Sequence, residues 1–484
     1  MNHKKYIMDK ILFFGAGKIG RYWLECFNDF GIIPSGVIDN NKSLWGDTWE
    51  NIRIYSPESL RIACFKKIFI TCRDEQNIAR QLLDLGVAKN KIIVGSHNIW
   101  NHLLFFKAKA MSLRSDMEKI IDQFPEGKVL FDLQNGMVLG GVEAWSYELA
   151  GKLKKKGWHG IYLATDAANP DIKDETYPVY TLVYRGLEQE RDKINLCVQE
   201  IINHLPCTII CNFPQHIFWS ACIVKRLYPK QIKIIAVQHS DDSVYYEAYS
   251  LWKDSIDKCM VISSYIERKL LSYGMNQNKL QRLEWQIPCR KNLKKKWYEI
   301  GQPLQIGYAG RITTLSKRVD LLLVLAERLK KKNIDFQMNI AGTGDYSEIL
   351  MQKIQEQNLQ ESVILTGYID RESISAFWNR QDIMVSCSER EGHSISQCEA
   401  MAQGAVPVIT DVSGARDDVV DGFNGYVVDV GDMDTLADRI QELYVNRDKL
   451  IKMGTCAHNT IYERQKDNDQ AEFWDQLIKK VWQG

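Results

Sequence analysis

Short apolar runs and segments of helical spacing alternate along almost the whole chain. Between residues 10 and 96, ILFF, SGVID, IRIY, KIFITC and KIIVG read as strands. KIGRYWLECFNDFG and EQNIARQLLDLG, lying between them, place apolar residues at helical intervals. Strands that alternate with helices predict βαβ units and a mainly parallel sheet. KAMSLRSDMEKIIDQF then reads as a linking helix that ends near Pro125. A second series starts at GKVLFDLQNG and runs through GGVEAWSYELAGKLKKKGWHGIYLAT, TIICNF, IKIIAVQHS and KCMVISSYIERKLLSYG. Basic, apolar-poor CRKNLKKKWYEIGQP interrupts it and reads as an interdomain linker. LQIGYAGRI, FQMNIAGTG, VILTGYID, DIMVSCSE, VPVIT and GYVVD form a third series, and QAEFWDQLIKKVW reads as a last amphipathic helix. The pattern therefore predicts an α/β chain in five parts: a small Rossmann-like domain over 1–105, a linking helix over 106–125, α/β domains over 126–298 and 299–465, and a C-terminal helix over 466–484.

A length of 484 residues agrees with several cores rather than one. The 62 Lys and Arg against 61 Asp and Glu leave no global field that would favour nucleic acid, so no nucleic-acid partner is expected. MNHKKYIMDK lacks a signal-peptide apolar core, and no apolar run is long enough to span a bilayer. Twelve scattered cysteines form no C-x-x-C pair, which fits reduced thiols in the cytoplasm. The basic clusters Lys152–Lys156 and Lys294–Lys296 read as solvated faces or as a peripheral contact with anionic lipid at the inner face of the membrane.

The third series carries the most chemistry. In EREGHSISQCEAMAQGAVPVIT, residues 389–410, seven residues separate Glu391 from Glu399. DIMVSCS reads as a buried strand and EREGH as the loop at its carboxyl end. Ser394 reads as an N-cap, with Gln397 completing a capping box and Gly404 stopping the helix. In an open α/β sheet, ligands bind at the carboxyl ends of strands, and the free N–H groups of a helix start favour phosphate. Carboxylates on either side would accept hydrogen bonds from sugar hydroxyls. A second strand–loop–helix, LQIGYAGRITTLSKRVDLLLVLAERL, supplies Arg311 and Lys317, placed to clamp a diphosphate. Set against this, two glutamates are often just solvated charges, and Lys317–Arg318 an exposed helix start.

Taken in order, these segments resemble the retaining glycosyltransferases of family 4, which have the GT-B fold of two facing Rossmann-like domains. EREGHSISQCEAMAQGAVPVIT resembles their E-x7-E signature and GRITTLSK their Arg-plus-Lys clamp, while DVVDGFNGYVVDVGD is similar to the segment closing their donor domain. GGVEAWSYELAGKLKKKGW and VISSYIERKLLSYG resemble the start and end of their acceptor domain. The resemblance implies transfer of a sugar, of hexosyl type, from a nucleoside-diphosphate sugar to a carbohydrate or lipid-linked carbohydrate acceptor, with retention of configuration. It implies that Glu391 holds hydroxyls of the donor sugar, that Glu399 holds the ribose, and that Arg311 and Lys317 neutralise the leaving diphosphate. Gly310, Gly392, His393, Ser394 and Ile395 would contribute to donor binding, Tyr368 would lie at the base, and Gly140 and Gly141 would allow close backbone approach from the facing domain. His239 would stand near the reacting sugar, although an interdomain structural histidine reads equally well. Two departures stand out: His393–Ser394 replaces an aromatic–Gly pair, and QIPCRKN replaces an apolar–Pro–Asn–Gly. No D-x-D pair stands in a metal-binding context, so neither metal nor further cofactor is expected.

At the N-terminus, ILFFGAGKIGRYW sets Gly15, Gly17 and Gly20 after a strand and into a helix, and Asp39 ends the next strand. This pattern fits a nucleotide-binding turn or the same turn without a ligand. The segment is also similar to the Rossmann-like domain preceding sugar O-acyltransferases. An NAD-dependent oxidoreductase centred here and a non-enzymatic sugar-nucleotide sensor are the rival readings. Because the transferase half has its own strands, it is expected to fold and act in a chain starting near Ser112.

Overall fold

A computed structural model describes residues 11–110, 128–137, 141–166, 174–295, 297 and 301–483. Gly140, Lys296 and the part of the expected linking helix beyond residue 110 fall outside them.

Three separate sheets follow one another along the chain. The first takes β1 (Ile11–Phe14), β2 (Gly36–Ile38), β3 (Thr48–Trp49), β4 (Ile52–Tyr55), β5 (Lys67–Ile70) and β6 (Ile92–Ile93), in the order β3-β4-β2-β1-β5-β6. Only β3 runs antiparallel to its neighbour. The second takes β7 (Lys128–Leu133), β8 (His159–Thr165), β9 (Val179–Leu182), β10 (Cys207–Cys211), β11 (Ile232–Gln238), β12 (Lys258–Val261) and β13 (Leu280–Arg282), in the order β13-β12-β11-β10-β7-β8-β9. The third takes β14 (Leu304–Ala309), β15 (Phe336–Ala341), β16 (Val363–Gly367), β17 (Ile383–Ser386), β18 (Val406–Thr410) and β19 (Tyr426–Val428), in the order β16-β15-β14-β17-β18-β19. Every pairing in these two sheets is parallel. Central strands such as CTIIC and VPVIT are buried along their whole length, as a parallel sheet with helices on both faces requires.

The last helix, Gln470–Gln483, returns from the third domain to the second. Trp158 donates its indole N–H to Asp475 Oδ1 at 2.9 Å, and Trp482 donates to Thr208 Oγ1 at 2.9 Å. The linker is anchored as well. Half-buried Lys295 donates from Nζ to the carbonyls of Asn379 (3.1 Å), Gln381 (2.5 Å) and Gln403 (3.4 Å), and desolvation lowers its pKa to about 8. In the other basic cluster, Lys152 meets Glu148 and Gln286 at 2.6 Å, Lys154 meets Thr176 O at 2.7 Å and Lys156 meets Glu472 at 2.6 Å. Four of the lysines offered by sequence as a lipid contact thus have partners within the fold, while Lys155 and Lys294 stay exposed. Among the described residues, no helix is long and apolar enough to cross a membrane.

The N-terminal domain is not a detachable bead. Its last helix, Ser96–Ala110, packs on the helices His216–Leu227 and Ser243–Leu251 of the second domain. Asn101, 1% exposed, accepts from two indoles with the same Oδ1: Trp219 at 3.1 Å and Trp252 at 2.7 Å. Phe13, Phe27, Leu103 and Leu104 belong to the same buried cluster as Ile209, Phe218 and Tyr249. The expectation that a chain starting near Ser112 folds unaided therefore meets a shared core: such a cut would bare the apolar face of two helices and remove the acceptor of two buried N–H groups.

Candidate functional site

The second and third domains face each other across a cleft of about 740 Å³. Its third-domain wall includes Arg311, Thr313, Lys317, Arg390, Glu391, Gly392, His393 and Ile395. Opposite stand Gly141, Phe213, His239, Asp241, Asp242, Tyr245 and Trp285.

The Glu391 loop follows β17, and the helix Ile395–Ala402 follows the loop. Ser394 caps that helix: its backbone is extended and its Oγ accepts from Gln397 N at 3.3 Å. Gly404 ends it with φ +74°. The expected capping box is only half made. The Gln397 amide turns away to Ala415 O (3.4 Å) and Asp418 Oδ2 (3.2 Å) instead of reaching back to the cap.

Two loops meet at the clamp. Glu389 N donates to Ser316 O at 2.9 Å, and Arg318 bridges Asp320 and Glu389. Lys317 Nζ lies 2.5 Å from Glu391 Oε1, which also accepts from Ser388 Oγ at 2.8 Å. Among the described residues, Glu391 Oε2 and the exposed Arg311 guanidinium have no partner. The arrangement holds a carboxylate and a cation together, with a second cation and a helix N-terminus beside them.

Across the cleft, His239 lies between Trp145 and Trp285, with ring centroids 5.2 and 6.4 Å away. Its Nε2 is 2.9 Å from Asn212 Oδ1. Asn212 already donates from Nδ2 to Asp132 O (2.8 Å) and Ser146 Oγ (3.0 Å), so its Oδ1 must accept. His239 is therefore protonated on Nε2, which leaves Nδ1 as an acceptor. Burial lowers the His239 pKa to about 3, so the ring is neutral throughout the physiological range. Buried Asp132 supports the chain by accepting from Asn212 N and Phe213 N, both at 3.1 Å. Asp132, Asn212 and Ser388 escaped the sequence reading, although FDL and CNF do place the first two at strand ends.

At Gly392 the domains touch. A Cβ there would lie 2.3 Å from His239 O and 2.6 Å from Ile262 Cδ1, so only glycine fits.

His393 borders the cleft, but its imidazole does not serve it. Nε2 donates to Asp418 Oδ2 at 2.6 Å, and Nδ1 is buried. Burial opposes its charge, yet Asp418 prevails and raises its pKa to about 10. Burial likewise works against the Asp418 carboxylate; His393 and Arg464 outweigh it and hold the pKa well below the usual range. His393, Cys398 and Asp418 place possible metal-ligand atoms within 4.8 Å of one another. Arg464 also reaches Asp418 and, at 3.4 Å, the Cys398 sulfur. In this structure the three side chains pair with one another and with Arg464.

Glu399, Tyr368, Gly310 and Ser394 do not line this cleft. Glu399 is half-buried on the helix; burial raises its pKa, with Arg371 opposing. Tyr368 is 59% exposed beyond β16.

In the N-terminal domain, Gly15 has φ +114°, and a Cβ on Gly20 would lie 2.2 Å from Gly15 O. Gly17 has open space beside it. Asp39 closes the turn, accepting from Ala16 N at 2.9 Å and Asn41 N at 2.8 Å. Both carboxylate oxygens are thus engaged by backbone.

Comparison with known proteins agrees with this layout. Residues 290–460 match the family Glycosyl transferases group 1, and residues 7–93 match C2185-like, N-terminal. The poly(ribitol-phosphate) alpha-N-acetylglucosaminyltransferase of Staphylococcus aureus is 31% identical over 177 residues, 36% of this chain and 35% of that protein. The S. aureus capsular polysaccharide biosynthesis glycosyltransferase CapM is 26% identical over 212 residues, 43% and 53% of the two chains. The chain thus spans about a third to a half of the length of these curated relatives. Among solved structures, the lipopolysaccharide outer core galactosyltransferase WaaB superposes with a TM-score of 0.56 at 17% identity, covering 72% of this chain and 99% of that one. A mutant of S. aureus TarM, solved with Fondaparinux, alpha-GlcNAc-glycerol and UDP, gives 0.52 at 16% identity over 99% and 100% of the two chains. The fold is GT-B: two parallel-sheet domains facing across a cleft, here preceded by a small α/β domain with its own sheet.

Proposed function

We propose that this protein is a retaining, metal-independent hexosyltransferase that moves a sugar from a nucleoside-diphosphate sugar to a hydroxyl of a carbohydrate or lipid-linked carbohydrate, in cytoplasmic assembly of a polysaccharide or glycoconjugate. The observation that carries it is the meeting of Glu391, Lys317, Arg311 and a capped helix start on one wall with neutral His239 on the other. Breaking the sugar–phosphate bond puts positive charge on the sugar and negative charge on the departing diphosphate. Arg311, Lys317 and the N–H groups of Ile395–Ala402 meet the second charge without reorganisation. Glu391 Oε2 and His239 Nδ1 accept from sugar hydroxyls. In this reading the acceptor oxygen bonds to the anomeric carbon on the face the diphosphate leaves, and its proton passes to a departing diphosphate oxygen. Glu399 is assigned to the ribose and the Tyr368 backbone to the base. CapM and the two transferases named above, together with free thiols at all twelve cysteines, support the setting.

The test is a panel of nucleotide sugars scored by thermal unfolding, since a ligand at 100 times its Kd stabilises the native state by about 2.7 kcal/mol. The donor so found is then assayed with Glu391→Gln. One donor should raise the midpoint, and the folded variant should lose transfer. Parent-like turnover in Glu391→Gln would remove this residue from the mechanism, and a protein that binds no nucleotide sugar would remove the function.

A further inference from the structure

The segment Ser413–Asp418 touches both sides of the cleft. Toward the donor loop, Ser413 Oγ donates to Gly392 O at 3.1 Å, and Asp418 receives the His393 imidazole. Gly414 packs so closely there that a Cβ would lie 3.0 Å from His393 Cα. Toward the facing domain, Ser263 and Ser413 hydroxyls lie 2.8 Å apart. Because the Ser413 proton goes to Gly392 O, Ser263 is the donor of that pair. Asp417 Oδ2 accepts from Ser264 N at 2.7 Å and from Arg282 Nη2 at 2.9 Å, and Oδ1 accepts from Ser264 Oγ. Adjacent aspartates thus serve opposite ends: Asp418, held by Arg464, fixes the loop from beneath, while Asp417 fastens the same short segment to the other domain.

We propose that Asp417 is a positioning residue which couples closure of the two domains to the shape of the Glu391–Ser394 loop. This rests on the reading of the cleft as a sugar-nucleotide site. The Asp417 side-chain contacts reach only the facing domain, so they hold only while Ser264 and Arg282 stay against it. Once formed, they set the position of Ser413 and Asp418, and through them Gly392 and His393. A bound donor would then find its loop in shape only in the closed protein, and an open protein would have a looser loop that still binds a nucleoside diphosphate through Arg311 and Lys317.

The test uses the full chain with Ser263→Cys and Ser413→Cys, whose disulfide reports closure, with and without Asp417→Ala. The rate of cross-linking is followed by mass spectrometry in this pair, while nucleoside-diphosphate affinity (calorimetry with UDP and GDP) and kcat and KM with the donor found above are measured with both serines kept, with and without Asp417→Ala. Asp417→Ala should slow cross-linking by about tenfold, the scale of one lost charge-assisted contact. It should lower kcat and leave nucleotide affinity unchanged. Asp417→Asn, which keeps the shape but loses the charge facing Arg282, serves if the alanine variant does not fold. Cross-linking at the parent rate, or nucleotide affinity falling in step with kcat, would overturn the coupling. The cross-linking arm needs no donor, so a protein devoid of transferase activity would defeat the proposed function while this arm still decides the coupling.

Discussion

Asn101→Leu should weaken the whole joint between the N-terminal and second domains. Leucine keeps the volume, so the cavity contribution is small. What changes is chemistry: the indole N–H groups of Trp219 and Trp252, in side chains 3% and 2% exposed, both lose the acceptor they share. An orphaned buried donor costs about 1–3 kcal/mol. Because one atom serves both indoles the two losses do not simply add, and about 2–4 kcal/mol is the expected total. That is a large share of a domain stability on the order of 5–15 kcal/mol. With a urea slope of about 2 kcal/mol/M, the midpoint of the joined unit should fall by about 1–2 M. Urea unfolding followed by circular dichroism and by tryptophan fluorescence, to which these two of the thirteen indoles contribute, reads this. A midpoint within about 0.2 M of the parent would refute the reasoning. Truncation to Ser112 tests the same joint more severely. The helix Ser243–Leu251, which would lose its cover, places Tyr245 in the cleft. The truncated chain should aggregate or lose donor turnover, and a monomeric truncation with full turnover would show that the joint is dispensable.

Arg311→Ala and Lys317→Ala should each weaken nucleoside-diphosphate binding by about 1–3 kcal/mol in calorimetry; unchanged affinity in both would remove the clamp. Stability should fall as pH drops below 6.5, because burial lowers the folded pKa of His239 and His102 to about 3 and of His97 to about 4, so the unfolded chain binds the extra protons first. The contribution is complete above 6.5 and lost toward pH 3. His393, raised to about 10, works in the other direction and loses its contribution as pH climbs through that value. Urea midpoints measured from pH 4 to 10 check both, and a flat profile would contradict the burial of these rings. Transfer should survive a chelator; loss restored by magnesium or manganese would reveal a required metal.

Much of this architecture was legible because it is local. All six strands of the third domain announce themselves as short, largely apolar runs, the clearest being those such as VPVIT that are covered on both faces. β3, β9 and β13 did not. They are edge strands of two to four residues, and three of the four β9 positions are exposed. Ser394 was readable as a cap because its partner lies three residues on. The Gln397 amide was not, because its partner Asp418 lies 21 residues away. The charges divide in the same way. Sequence placed Glu391 in a loop after one strand and Lys317 at a helix start after another, but only the packing of two loops brings them to 2.5 Å across 74 residues. Lys295 looked like part of a solvated basic run and is instead a half-buried donor to three backbone carbonyls. His393 looked like a ligand-facing residue, yet its ring is claimed by Asp418. The sequence by itself determined which segments become strand, helix and cap, because those depend on neighbours within a turn or two. Tertiary structure alone decided which polar groups are buried, which partners they find and which protons they hold, because desolvation and long-range pairing exist only once distant segments are packed together.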